Sequence, residues 1–340
     1  MTRMRRVLVT RYGGPDVLSV VTEDRPVPGP GQLGIRVRAA GVSFTDSLLR
    51  AGTYPGGPKP PFTPGYEIVG DVEEVGPGCS MVRPGDRVAV LMVWGGNADY
   101  VCVAESLAVE VPQDIDPAAL VSVIFPDMTA YQLLHRAAHV RRGETVLYHG
   151  AAGRVGVGVL ELARAAGVVI YGTASTADCA VVERLGGIPI DYTREDFLRH
   201  VRALAGGGVD VAIDGIGGSL SFRSLRALRK GGRLVLFGHQ STVVNGRRSL
   251  SRLMSFYGWA AVTMLAGKVL PHRTVTLYRI AKLRDRHPEW FREDLQELIR
   301  LLRDDNLHPV VAERIPLDEV RRAHEFLESS AARGKIVLIP

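Results

Sequence analysis

Cysteine is scarce in this chain of 340 residues: only Cys79, Cys102 and Cys179. They show no CxxC spacing and no neighbouring pair of histidines, which excludes a disulfide framework and a zinc knuckle and suits a reducing, cytoplasmic setting. Aromatic residues make up 6%, and no basic run is interleaved with them. The net charge of +6 therefore does not describe a nucleic-acid surface. Its arginines are scattered (Arg3, Arg5, Arg6, Arg36, Arg38, Arg141, Arg142, Arg247, Arg248) and would serve an anionic cofactor or a thioester carrier equally well. A secretory signal is also lacking, because Met1–Val9 alternates arginine with short apolar residues. No membrane partner is expected, a short interfacial segment being the lesser alternative for the most apolar stretch. The most apolar stretch, Leu253–Leu270, is broken by Tyr257, Gly258, Gly267 and Lys268 and reads as a buried or oligomer-facing helix.

Glycine and proline are plentiful, 38 and 20 residues, and their placement divides the chain. Over the first 120 or so positions, breakers such as Gly13-Gly14-Pro15, Pro28-Gly29-Pro30-Gly31 and Pro84-Gly85-Asp86 separate short β-branched runs. Those runs, Val7–Val9, Gly34–Arg38, Ile68–Val75 and Arg87–Val93, predict a compact β-rich domain. A helix is expected over Pro126–Ala138. From Thr145 onward apolar strands alternate with amphipathic helices, the pattern of a parallel sheet covered on both faces. The final strand, Lys335–Ile339, resembles the first region. The reading is an α/β chain with a discontinuous catalytic domain (1–121 and 263–340) and a dinucleotide-binding domain inserted at 122–262.

The strongest motif is Val146-Leu147-Tyr148-His149-Gly150-Ala151-Ala152-Gly153-Arg154-Val155-Gly156. A strand enters a glycine-spaced turn and leaves as a helix, so the backbone can approach a diphosphate whose charge the free helix N–H groups favour. Gly150, Ala152, Gly153, Arg154, Val155 and Gly156 are accordingly expected to bind cofactor. The second strand ends Tyr171-Gly172-Thr173-Ala174-Ser175-Thr176, neutral and hydroxyl-rich. A 2′-phosphate is accepted there, which favours NADPH, with NADH as the alternative.

Several blocks together resemble the zinc-independent quinone oxidoreductase branch of the medium-chain dehydrogenase/reductase superfamily. They are Tyr12–Leu18, Ala39–Asp46, Gly52–Pro55, Pro64–Glu67, Pro84–Val88, Thr129–Tyr131, the glycine turn, Asp214–Gly218, and the tail from Ala323 through Leu338. The resemblance implies a GroES-like catalytic domain, a Rossmann domain, a nicotinamide in the cleft between them, and a homodimer. By motif position Thr129 meets the nicotinamide. Thr173, Ser175 and Tyr192 meet the adenosine ribose or its phosphate, and Phe237 and Gly238 pass under the nicotinamide side.

Zinc-dependent relatives place Cys at Ser43, His at Tyr66 and a third ligand near Asp127. Ser, Tyr and Asp suit zinc poorly, so no metal is expected. The implied activity is hydride transfer from NADPH to a quinone, an enone or another activated double bond of a small molecule. The alternatives are reduction of an enoyl thioester or biosynthetic intermediate and, from another class, a nucleotide-binding adaptor with little turnover. Tyr54 stands where enoyl-thioester reductases of the superfamily place a proton-donating tyrosine, with packing or cofactor contact as its competing role. Ser43 replaces a usual Asn, and Asp46 is either a helix cap or catalytic. Tyr66 is read chiefly as packing, with a second donor as the alternative. His149 is read as structural. Cys179 stands where a lysine often meets the 2′-phosphate, and Ser330 where some relatives have arginine.

Overall fold

The computed structural model describes residues 2–54, 56–238, 243–244, 247–248, 250–270, 273–329 and 334–340. Pro55 and Ser330 lie outside these, so nothing is said of their structure. The first region contains β1 (Arg3–Val9), β2 (Leu18–Asp24), β3 (Gln32–Val42), the short helix α1 (Phe44–Arg50), β4 (Glu67–Val75), β5 (Arg87–Leu91), β6 (Tyr100–Ala104) and β7 (Ala108–Glu110). Helix α2 (Pro117–Ser122) leads through a widened turn, 123–127, into α3 (Met128–Gln132) and a second widened turn, 133–137. The single helix expected over Pro126–Ala138 is thus only partly regular. Pro126 has no N–H for the helical ladder, and the turn expands around it.

The α/β region follows as β8 (Thr145–His149), α4 (Arg154–Ala166), β9 (Val169–Ala174), α5 (Cys179–Arg184), β10 (Ile188–Asp191), α6 (Phe197–Leu204), β11 (Val209–Asp214), α7 (Ser219–Ala227) and β12 (Leu228–Leu236). The two-residue strands β13 (Val243–Val244) and β14 (Arg247–Arg248) precede α8 (Leu250–Val269) and β15 (Thr274–Leu277). The chain closes with α9 (Ile280–Arg286), α10 (Pro288–Arg303), β16 (Val311–Pro316), α11 (Val320–Glu328) and β17 (Lys335–Ile339).

Among the described residues β8–β12 and β15 form one sheet in the order β10-β9-β8-β11-β12-β15, parallel throughout. Its residues alternate between two cores, as strand geometry demands. Val146, Tyr148, Ile170, Val211, Ile213 and Val235 face the large core shared with the rest of the chain. Leu147, Tyr171, Ala212 and Leu234 face a second core with Phe197 and Val201 of α6 and Leu225 of α7. This is the expected doubly wound sheet. It also takes in Thr274–Leu277, beyond the expected boundary at 262, because β15 pairs in register with Arg233–Leu236.

The other sheet runs β16-β17-β3-β4-β5-β7, with β6 also paired to β3. The C-terminal strand therefore returns to the β-rich domain, pairing Ile336–Leu338 with Ala40–Val42.

Candidate active site

Strand β8 is the topological switch point: the chain winds one way to β9 and β10 and the other way to β11 and β12. Ligands of such sheets sit beyond the carboxyl end of that strand, where the glycine turn lies. Gly150 has φ +75°, and its N–H and that of Ala151 donate to the Thr173 carbonyl at 3.1 and 3.0 Å, lashing the turn to β9. Gly153 caps α4 with φ −72° and ψ 167°, and no side chain accepts from the first helical N–H groups. A 13-residue helix thus presents its uncapped, positive end at the switch point, which fits a diphosphate. Gly153 is exposed, Ala152 and Val155 are half-buried, and Gly156 is buried against the backbone of Ala151.

His149 holds this turn from beneath. Its Nε2 lies 2.9 Å from Ser224 Oγ and its Nδ1 3.1 Å from Thr173 Oγ1. The Thr173 hydroxyl also accepts from Gly150 N at 3.2 Å, and burial keeps the imidazole neutral by pushing its pKa down. Thr173 is itself buried, its hydroxyl already engaged by the loop it supports. Ser175 is half-buried and donates to Asp178 at 2.8 Å. Asp191, at the end of β10, accepts from Thr176 and Thr193. Two carboxylates thus stand beside the neutral end of β9: Asp178, a few residues beyond it in sequence, and Asp191, which sequence reading missed because strand pairing alone sets it opposite Ala174. Tyr192 is exposed beside them.

The Thr129 hydroxyl is buried beside Tyr278 and has no hydrogen bond of good geometry among the described residues. A buried hydroxyl with only a poorly aligned neighbour in Tyr278 keeps hydrogen-bonding capacity that suits the carboxamide of a nicotinamide. Phe237 packs its ring against Gly215, where an added Cβ would lie 2.6 Å from Phe237 Cζ. Gly238 approaches the Gly215 backbone so closely that no side chain fits. Both are half-buried.

The β-rich domain contributes the corner between β3 and α1. Asp46 is fully buried, and its carboxylate accepts from Ser43 N and Ser43 Oγ, each at 2.8 Å, and from Gly65 N at 2.9 Å. The capping role open in the sequence is present as a capping box. The Gly65 contact sets the turn before Tyr66. Tyr66 is buried, with its hydroxyl 2.9 Å from that of the half-buried Tyr54. Beneath them Glu67 pairs with Lys335, both buried, and burial pushes the carboxyl up to about 7 against the pull of the lysine.

Arg154 turns inward. One guanidinium nitrogen lies 2.6 Å from both carboxylate oxygens of Asp127, which is fully buried and pushed up to about 6 by that burial. The three positions compared with zinc ligands are therefore spoken for: Ser43 by Asp46, Tyr66 by Tyr54, and Asp127 by Arg154. Among the described residues no group of three His, Cys, Asp or Glu side chains is placed to hold a metal ion, and hydroxyls already committed to other partners do not suit zinc.

A glycine turn at the switch point of a parallel sheet, with a β-rich domain supplying tyrosines, defines a two-domain dinucleotide-dependent oxidoreductase. Residues 29–113 match the alcohol dehydrogenase GroES-like domain and residues 187–338 the zinc-binding dehydrogenase family. The chain is 33% identical to the quinone oxidoreductase of Lama guanicoe over 99% of this chain and 97% of the relative. It is 30% identical to the human synaptic vesicle membrane protein VAT-1 homolog over 99% of this chain and 86% of that one. The Escherichia coli quinone oxidoreductase complexed with NADPH superposes with a TM-score of 0.84 at 28% identity, covering 99% of this chain and 100% of that one. The chain belongs to the quinone oxidoreductase branch of the medium-chain dehydrogenase/reductase superfamily.

Proposed function

We propose that the protein binds NADPH along the carboxyl edge of the parallel sheet and passes its hydride to a small conjugated acceptor, a quinone or an enone. The observation that carries this is the uncapped start of α4 over the Gly150–Gly153 turn at the switch point of the sheet. The E. coli relative, alike over the full length, is complexed with NADPH. When bound, the dinucleotide supplies the hydride; the chain supplies position and a proton. Gly150, Ala152, Gly153, Val155 and Gly156 cradle the diphosphate, with Arg154 bracing the loop from behind. Thr129 orients the nicotinamide over Phe237 and Gly238, while Thr173, Ser175 and Tyr192 border the adenosine ribose. Tyr54 donates the proton to the reduced acceptor, and Ser43 and Asp46 fix the corner from which it works. The nucleotide-binding unit runs from residue 122 through Leu277.

NADH is a second reading, favoured by Asp178 and Asp191 at the rim, which would repel a 2′-phosphate. Fluorescence titration with both reduced nucleotides, followed by their oxidation against a panel of quinones and enones, decides between them. Absence of binding to either would end the proposal.

A homodimer is supported by β15, the edge strand of the sheet, with Leu277 exposed, and by α8, which leaves Met254, Tyr257, Leu265 and Val269 exposed. Of the segment Leu253–Arg273 expected to shape an acceptor pocket or a dimer contact, residues 271–272 and the Leu253 side chain lie outside the described residues. No described helix is long and apolar enough to cross a membrane. Sedimentation should give about twice the 36.9 kDa chain mass, falling to the chain mass in Leu277→Asp. A cytoplasmic, reducing setting is supported by the three free cysteines.

A further inference from the structure

Tyr66 occupies a position from which it can touch Tyr54 and little else that reacts. It is 1% exposed, packed on Phe125 at 4.3 Å between ring centroids with a tilt of 30°, and set edge-to-face against Tyr54 at 6.3 Å and 72°. Its backbone is clamped, because the Tyr66 carbonyl accepts from Met92 N at 2.7 Å and Val93 N at 3.0 Å. The preceding Gly65, at φ +107°, has its N–H held by Asp46. Ring and backbone together fix where the hydroxyl points, which is at Tyr54 Oη, 2.9 Å away. A side chain so enclosed cannot exchange protons with an acceptor in the cleft, whereas Tyr54 is half-buried and can.

We propose that Tyr66 is a positioning residue for Tyr54: its hydroxyl donates a hydrogen bond to the Tyr54 oxygen and stabilises the phenolate left when Tyr54 gives up its proton. The inference rests on the reading of Tyr54 as proton donor. In the step, hydride forms a C–H bond on the acceptor, the Tyr54 O–H bond breaks, and its proton goes to the anionic oxygen or carbon. Solvent then returns a proton to Tyr54. Tyr66 keeps its own proton throughout, since burial and the neighbouring Tyr54 raise its pKa well above that of an ordinary phenol. The other ionisable groups bearing on Tyr66 do not compete for the bond. Glu67 is paired with Lys335, and the Tyr278 hydroxyl donates to Gln132 at 2.9 Å. A hydrogen bond to a charged acceptor is about twice as strong as a neutral one, so this contact strengthens as the proton leaves.

The test is Tyr66→Phe, which removes one oxygen and keeps the packed ring. The expected result is a loss of about tenfold in kcat with KM and the NADPH dissociation constant unchanged. The alkaline limb of the kcat profile should move upward with it. The tyrosinate absorbance step assigned to Tyr54, by its absence in Tyr54→Phe, should move in the same direction. In the Tyr54→Phe background, adding Tyr66→Phe should lower kcat no further. If Tyr66→Phe leaves kcat and the Tyr54 ionisation where they were while Tyr54→Phe is impaired, the positioning role is wrong and the donor reading stands. If Tyr54→Phe retains full kcat, both fall. A loss of kcat in Tyr66→Phe without movement of the Tyr54 ionisation marks a packing effect and likewise overturns the proposal.

Discussion

Arg154, the first residue of α4, directs its guanidinium to the buried carboxylate of Asp127, two residues before Thr129, at 2.6 Å from each oxygen. The pair ties the start of α4 to the turn that precedes α3. Room for it is made on α4 by Gly158, where an added Cβ would lie 2.7 Å from Asp127 Oδ1. Arg154 is 16% exposed and Asp127 fully enclosed, so removing the cation leaves an anion with no route to water.

Arg154→Met is therefore expected to cost about 1.4 kcal/mol of unfolding free energy near neutral pH, the cost of protonating an Asp127 carboxyl raised to about 6. Asp127→Asn in the same chain should recover a large part of it, because a neutral amide carries no unpaired charge. The deficit should shrink at about pH 5, where an Asp127 carboxyl raised to about 6 is already protonated. Urea unfolding of the single and double variants at the two pH values measures all three. An equal deficit at both would mean that the carboxylate is not the source.

Two glycines of the turn separate binding from folding. At Gly153, φ is −72° and an added methyl would meet only the Gly150 carbonyl, at 3.2 Å. Gly153→Ala should therefore keep its unfolding temperature while the methyl stands between the helix end and the diphosphate. NADPH should bind at least about tenfold more weakly, a change of about 1.4 kcal/mol. At Gly156 the methyl would be driven into the Ala151 backbone, so Gly156→Ala should lose unfolding temperature and cofactor binding together. Fluorescence titration and thermal unfolding of the pair check this; a Gly153→Ala protein with unaltered affinity would remove the turn from the cofactor site.

Much of the architecture was legible because it follows from periodicity and punctuation. Apolar strands alternating with helices dictate a covered parallel sheet, and the glycine turn marks its switch point. The apolar Lys335–Ile339 returns to β3 by the same pattern that ends many short strands. Less legible was β15, since Thr274–Leu277 is only four residues long, and its sequence does not show that it pairs with Arg233–Leu236. The backbone of the glycine turn was legible in the sequence; the directions of the side chains around it were not. Spacing places Arg154 on the loop but cannot say that it faces Asp127, 27 positions earlier. Nor can it bring Tyr54 to Tyr66, which requires the Gly65 turn. Thr173 shows the same limit, with a hydroxyl turned to His149 and the Gly150 N–H.

Glu67 and Lys335 connect β4 to the C-terminal strand inside the core. The Glu67 carboxyl is raised from its ordinary value to about 7, chiefly by burial, with Asp46 adding to it and Lys335 opposing. A carboxyl raised in the folded state binds more protons there than in the unfolded chain. Its contribution is therefore complete below the ordinary carboxyl range and is lost as pH rises through about 7. The protein should be more stable at pH 6 than at pH 8, with this group accounting for about 1 kcal/mol of the difference. Replacing both partners, Glu67→Gln with Lys335→Met, removes the titrating group without stranding a buried charge, so that part of the slope should vanish. Unfolding free energies of the wild-type and double-variant proteins across this range provide the measurement. A slope that survives the double substitution would place the titrating group elsewhere, with Asp127 the next to examine because its own raised value, about 6, acts in the same direction.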